Sequence, residues 1–169
     1  MIIGNGDIGS ILGKATKPKD DKFIFFASGV SNSAETRDSE FMREVNLLDR
    51  QDHSKHIVYF SSISIFWSDT PYFKHKKFME SKVALDFNSY TIVRLGNITW
   101  GKNSHTLINF FRNKIKNNES IEIQPGYRYI VTEEEFLYWI DLIPDWNCEF
   151  TIPGKRMRII DIAKEYGYA

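Results

Sequence analysis

The sequence predicts an α/β fold with a mainly parallel sheet and helices on both faces. Three observations predict it. Apolar runs of strand length alternate with helix-length stretches that carry an apolar stripe. The runs Lys22–Ala27 and Tyr90–Leu95 are rich in aromatic or β-branched residues, as expected for strands buried on both faces. At the N-terminus, Met1-Ile2-Ile3 leads into Gly4-Asn5-Gly6-Asp7-Ile8-Gly9, a G-x-G-x-x-G turn between a strand and a helix.

In chain order, residues 1–3 form a first strand and Asp7 to about Ala15 a short helix, ended by the Lys/Pro-rich loop at Pro18. Residues 22–27 are the next strand, and Ser28-Gly29-Val30-Ser31-Asn32-Ser33 is turn chemistry at its C-terminal end. A helix is expected over 39–52, with Phe41, Val45 and Leu48 on one stripe. Residues 56–61 and 90–95 are strands. Between them Tyr72 to about Asp86 is helical, with Phe78, Met79 and Val83 facing inward. Gly96 to Ser104 is a loop. Leu107, Ile108, Phe111 and Ile115 mark a helix, and Ile121-Glu122-Ile123 reads as a short strand. Thr132 and Glu135 have capping-box spacing for a helix through Leu142. Phe150-Thr151-Ile152 is a short strand, and a last helix spans about Ile160 to Tyr166. The shorter strands after residue 97 predict a division into a core, 1–97, and a small lobe packed on it, 98–169.

At 169 residues, one domain is the default. Lys plus Arg total 22 and Asp plus Glu total 22, so no basic field points to nucleic acid and no acidic tail is present. Cys148 is the only cysteine, which excludes an intrachain disulfide and fits a reducing, cytoplasmic location. Its strand-like neighbours make it a core residue rather than a nucleophile. No run approaches 18 apolar residues, and the N-terminus lacks a signal-peptide pattern, so neither membrane insertion nor export is expected. The histidines at 53, 56, 75 and 105 lack metal-ligand spacing, so no metal is expected.

Three groups fall at strand ends on one face, where open α/β sheets bind ligands. In the glycine turn, Gly4 would allow the tight bend, Gly6 a close backbone approach to phosphate, and Gly9 close helix packing. Free N–H groups and the helix end would attract an anion. Ser61-Ser62-Ile63-Ser64 supplies hydroxyls. Tyr72 and Lys76 stand one helical turn apart on one face. An ammonium near a phenol favours phenolate and lowers the tyrosine pKa from about 10, which suits proton exchange with an alcohol. The plainer reading of this pair is an aromatic and a base on an exposed helix face.

In that order, these pieces resemble the extended short-chain dehydrogenase/reductases, the NAD-dependent epimerase/dehydratases of nucleotide sugars. Gly6-Asp7-Ile8-Gly9-Ser10 is similar to the end of the family's glycine motif, and Phe26-Ala27-Ser28-Gly29 to its strand ending in small residues. Val58-Tyr59-Phe60-Ser61-Ser62 resembles the strand bearing the catalytic Ser. Pro71-Tyr72-Phe73-Lys74-His75-Lys76-Lys77-Phe78-Met79-Glu80 resembles the Pro-Tyr-x-x-x-Lys-x-x-x-Glu signature. Arg94-Leu95-Gly96-Asn97-Ile98-Thr99-Trp100-Gly101 resembles the Arg-x-x-Asn-x-x-Gly run, and Arg128-Tyr129-Ile130-Val131-Thr132-Glu133-Glu134 the substrate-lobe segment before a helix.

The resemblance implies a reduced Rossmann-like sheet with a small C-terminal substrate-type lobe. It implies a catalytic Ser62, with Tyr72 as general acid/base and Lys76 tuning it and holding the nicotinamide ribose. NAD or NADP would lie on Gly4, Asn5, Gly6, Asp7, Ile8, Gly9, Ala27, Ser28 and Lys76. A nucleotide sugar would meet Ser64, Asn97 and Arg128. A homodimer would pack through the helices near 39–52 and 72–86. The chain departs from the family where its first helix runs almost directly into the 22–27 strand. One side of the sheet, and the adenosine pocket with it, is then missing; Asp20 and Asp21 fit a loop better than a ribose reader. The chain would be a truncated member, either active on a nucleotide sugar or a cofactor-degenerate binding or scaffold protein.

Overall fold

A computed structural model, describing residues 1–167, contains two sheets. The main sheet has five parallel strands, β1 (Ile2–Ile3), β2 (Phe23–Phe26), β3 (His56–Ser62), β4 (Tyr90–Leu95) and β7 (Cys148–Ile152), in that spatial order. A smaller sheet joins β5 (Asn97–Ile98) and β8 (Lys155–Arg158) on either side of β6 (Tyr127–Val131). Among the described residues six helices complete the fold: α1 (Asp7–Leu12), α2 (Asp38–Asp49), α3 (Pro71–Asp86), α4 (Leu107–Lys116), α5 (Glu133–Asp141) and α6 (Ile159–Tyr166).

Side-chain alternation along the strands builds a core on each face of the main sheet. Phe23 and Phe25 point one way, joining Leu12, Val58, Val93, Ile152, Phe136 and Ile140 under α1 and α5. Ile24 and Phe26 point the other way, joining Tyr59, Ile92, Leu48, Met79 and Val83 under α2 and α3. Each fully buried side chain of this size contributes about 1.5–3 kcal/mol. A third cluster, with Ile108, Phe111, Ile130, Met157 and Ile162, seats α4 and α6 on the small sheet.

The strands expected at 1–3, 22–27, 56–61 and 90–95 are present. Several details differ. The first helix stops at Leu12 rather than Ala15; a 3-10 turn at Lys17–Lys19 follows, and the N–H groups of Thr16 and Lys17 donate to Asp141 of α5 at 2.7 and 2.9 Å. Ile121-Glu122-Ile123 pairs with no strand; Ile121 and Ile123 pack against the third cluster as extended chain. Three strands lie where none is expected: β5 within the 96–104 stretch read as a loop, and β6 and β8. β6 buries only Ile130 and Val131 at its end, and Lys155-Arg156-Met157-Arg158 buries only Met157. The boundary at residue 97 divides the sequence but not the packing. β7 returns from the C-terminal half to close the main sheet, and α5 covers that sheet's core. The Thr132 cap forms as its spacing predicts, accepting from the Glu135 N–H at 3.2 Å.

His56 begins β3 with its ring between the hydroxyls of Ser89 and Thr91, each at 2.7 Å. Burial, then the nearby Lys17 charge, lowers its pKa to about 4. Because the unfolded chain takes up this proton near pH 6.5, stability is expected to fall between pH 6.5 and 4 and level off below. With allowance for solvent screening the change is about 2 kcal/mol. Urea unfolding across that range checks this, with His56→Gln flattening the profile.

Candidate functional site

One cleft of about 1030 Å³ opens at the C-terminal ends of β1 to β4. Its wall includes Asn5, Gly6, Asp7, Ile8, Ala27, Ser28, Ser62, Ser64, Tyr72, Lys76, Asn97 and Arg128. These are twelve of the fourteen residues singled out in the sequence; Gly4 and Gly9 lie behind the wall.

The glycine turn is built by sterics. Gly4 has φ +111°, and a Cβ there would lie 2.6 Å from the Ala27 carbonyl oxygen. A Cβ on Gly9 would collide with the Gly4 carbonyl, so turn and helix pack backbone to backbone. A Cβ on Gly6 would meet nothing within 4 Å, leaving that backbone open to the cleft. The Asp7 carboxylate, which its position in the turn places beside a bound phosphate, turns instead to the following loop. It accepts the N–H groups of Lys102 at 2.9 Å and Asn103 at 3.1 Å, and the Asp7 carbonyl accepts Trp100 Nε1 at 3.0 Å.

Ser62 ends β3 and caps a 3-10 turn over Ile63–Phe66, accepting the Ser64 N–H at 3.2 Å. Ser61, facing Arg94 across the ladder, keeps a buried hydroxyl with no hydrogen-bond partner among the described residues. Asn97 donates to the Tyr129 carbonyl at 3.2 Å, joining β5 to β6. Arg128 donates to the Tyr127 carbonyl at 2.9 Å and remains exposed. Asp20 accepts the Lys22 N–H at the start of β2, the end of the sheet opposite the cleft. It is a turn residue.

Tyr72 and Lys76 lie on the inward face of α3, both buried, and not on an exposed surface. The Lys76 ammonium stands 5.9 Å from the Tyr72 ring centre. Sequence reasoning missed its main partner. Glu44 of α2, 0% exposed, accepts hydrogen bonds from Lys76 Nζ at 3.2 Å, the Tyr59 hydroxyl at 2.7 Å, His75 Nε2 at 3.0 Å and the Val30 N–H at 2.7 Å. Lys76 also donates to the Tyr59 hydroxyl at 3.0 Å. Burial opposes the Glu44 charge, but Lys76 and the donors from His75, Val30 and Tyr59 outweigh it and hold the carboxyl well below its usual range.

The expected lowering of the Tyr72 pKa is therefore overturned. Burial raises it, the Lys76 charge opposes, and Glu44 adds to the rise. The net shift is upward, so the phenol is protonated at neutral pH. A signal for Glu44 was present in the sequence. Phe41, Glu44, Val45 and Leu48 share one i, i+3, i+4, i+7 stripe, and a carboxylate on a buried stripe requires a cation.

Buried Glu80 and half-buried Arg94 form a second pair, at 2.5–3.2 Å, which Glu149 of β7 extends at 2.7 Å. It ties α3 to β4 and β7, so Arg94 is structural. Phe78, expected inward, is 53% exposed; the inward positions of α3 go to Lys76, Met79, Glu80 and Val83. Among the described residues no group of three or more His, Cys, Asp or Glu is placed to hold a metal, and no helix is long and apolar enough to cross a membrane.

No protein-family model and no curated protein sequence matches this chain. Solved structures match at the level of fold. The enzyme WbmG of Bordetella bronchiseptica, solved with NAD, has a TM-score of 0.68 at 14% identity over 94% of this chain and 58% of its own. UDP-N-acetylglucosamine 4-epimerase of Methanobrevibacter ruminantium has a TM-score of 0.61 at 17% identity, covering 90% and 63%. UDP-glucose 4-epimerase of Thermus thermophilus, solved with NAD, has a TM-score of 0.61 at 12% identity, also covering 90% and 63%. The chain spans about three-fifths of the length of each. Its fold is the Rossmann-like α/β fold of the NAD-dependent nucleotide-sugar epimerases.

Proposed function

We propose that the chain binds a pyrophosphate-containing nucleotide in the cleft and handles a proton there on a nucleotide sugar, in the manner of an NAD(P)-dependent epimerase, dehydratase or reductase. The observation that carries this reading is the convergence of the open Gly6 backbone, Ser62, Tyr72 and Lys76 on one cavity. The residues fit the pyrophosphate and nicotinamide half of NAD or NADP. Asn5, Gly6 and Ile8 would take the phosphates and Ala27, Ser28 and Lys76 the nicotinamide side, and the group would supply hydride transfer. They do not fit the adenosine half, because β1 is the sheet edge and no strand lies beyond it among the described residues.

In this reading Tyr72 exchanges the proton, Ser62 donates to the substrate oxygen, and Ser64, Asn97 and Arg128 border the sugar side. The buried, protonated phenol suits Tyr72 to proton donation. A second copy packed through α2 and α3 belongs to the same reading, since Met42, Phe78 and Leu85 expose apolar surface on those helices. The β1 edge and the neutralised Lys76 favour a second reading, a binding protein that keeps the cleft without the chemistry.

Calorimetric titration with NAD, NADH, NADP and NADPH, with light scattering on the same samples, tests both. Binding is expected in the range of about 10⁻⁴ M, weakened by the missing adenosine wall, with a mass of two chains. No heat at millimolar nucleotide would remove the first reading. Turnover abolished by Tyr72→Phe would remove the second.

A further inference from the structure

The cleft wall contains a buried charge arrangement that the Ser62, Tyr72 and Lys76 roles do not use. Glu44 Oε1 accepts from both Lys76 Nζ and the Tyr59 hydroxyl, and Lys76 donates to that same hydroxyl. The three groups close a triangle of 2.7, 3.0 and 3.2 Å edges. Glu44 is 0% and Lys76 3% exposed, so water does not screen the pair.

Gly29 closes the triangle from the cleft side. A Cβ there would lie 2.6 Å from Lys76 Nζ and 2.8 Å from Glu44 Oε1, so any larger residue would displace the end groups of the pair. The Val30 N–H on the same loop fixes the second carboxylate oxygen, and His75 donates to it from α3. Four donors from three elements thus converge on one carboxylate, which faces a lysine 5.9 Å from the Tyr72 ring.

We propose that Glu44 is a positioning residue of the cleft: it holds Lys76 in the Glu44–Tyr59 triangle and offsets part of its ammonium charge at Tyr72, which favours the proton-holding form of the phenol. The charged and titratable groups that act on the phenol are Lys76 on α3, Glu44 on α2 and Tyr59 on β3, and Arg43, His105 and Arg128 line the same cleft. The Glu80–Arg94 pair beyond them is internally neutralised. The consequence for chemistry rests on the reading of Tyr72 as the proton-exchanging group. The electrostatic arrangement does not.

The test is a pH titration of the full chain carrying ¹³C at tyrosine Cζ, followed by NMR, with the Tyr72 signal assigned by its loss in Tyr72→Phe. It uses no nucleotide, so a failure of cofactor binding leaves it readable. In the unsubstituted protein Tyr72 is expected to titrate above pH 10. In Glu44→Gln, where the ammonium is uncompensated, its midpoint is expected to drop by about one unit or more, a tenfold rise in phenolate fraction. A folded Glu44→Gln with an unmoved midpoint overturns the proposal.

Should Glu44→Gln not fold, Lys76→Met is compared with the double variant Glu44→Gln/Lys76→Met, which differ only in the Glu44 charge. The double variant's midpoint is expected to lie below that of Lys76→Met by about half a unit or more. Equal midpoints would mean that the carboxylate does not act on the phenol, and the proposal is wrong.

Discussion

Glu44→Ala is expected to lower stability by about 3–5 kcal/mol, the usual cost of leaving the other member of a buried ion pair without its partner. The substitution strands Lys76, which is 3% exposed, and orphans the Val30 N–H, the Tyr59 hydroxyl and His75 Nε2. Lys76→Met should cost less, because Glu44 then keeps three donors, from Val30, Tyr59 and His75. The double variant Glu44→Ala/Lys76→Met should therefore be more stable than Glu44→Ala alone. It should not reach the unsubstituted protein, since the three donors orphaned with Glu44, from Val30, Tyr59 and His75, remain at about 1–3 kcal/mol each. Urea midpoints of the four proteins form the cycle, and an additive result would mean that the two side chains do not interact.

The pH dependence has a definite sign. The folded-state pKa of Glu44 lies below its unfolded value, so its contribution is complete above about pH 4.3 and is lost as pH falls toward the folded value. Glu44→Gln should accordingly give a flatter stability profile below pH 4.3 than the unsubstituted chain.

What the sequence revealed was what periodicity and turn chemistry encode. β2 is four apolar residues, alternately feeding two cores, and its strand assignment required nothing else. The Thr132 cap, the glycine turn and the α3 boundaries are local and were legible for the same reason. The failures lie where polar residues point inward. α3 buries His75, Lys76 and Glu80 while exposing Phe78, because those polar groups are matched across space by Glu44 and Arg94. A hydrophobic stripe cannot register a pairing between residues 44 and 76. The same blindness misjudged Tyr72: the Tyr-x-x-x-Lys spacing correctly places the ammonium near the phenol but says nothing of the carboxylate that answers it. β5, β6 and β8 escaped because short strands of a small sheet, joined across residues 97–158 and burying few side chains, leave little alternation to read.

Gly4→Val and Gly6→Val should separate the two duties of the opening turn. Valine at residue 4 would have to adopt φ +111°, which β-branched side chains avoid, and place Cβ 2.6 Å from the Ala27 carbonyl oxygen. Opening the contact between the β1 turn and the end of β2 would disturb the edge of the sheet and both cores, to which Ile2 and Ile3 contribute. A loss of about 3 kcal/mol or more is expected, seen as a lowered melting temperature. Valine at residue 6 meets a different environment. The backbone there is ordinary, at φ −69°, and the space before it is empty to 4 Å. At this N-cap position, where glycine is favoured over valine, it should cost only about 1 kcal/mol. The space it fills is the cleft itself, so a pyrophosphate lying against Gly6 would be displaced and NAD affinity should fall at least about tenfold, or 1.4 kcal/mol. The informative result is the crossed pattern, in which residue 4 controls melting and residue 6 controls calorimetric affinity. If Gly6→Val binds NAD as the unsubstituted chain does, the nucleotide is not seated on this turn, and the G-x-G-x-x-G sequence here serves strand–helix packing alone.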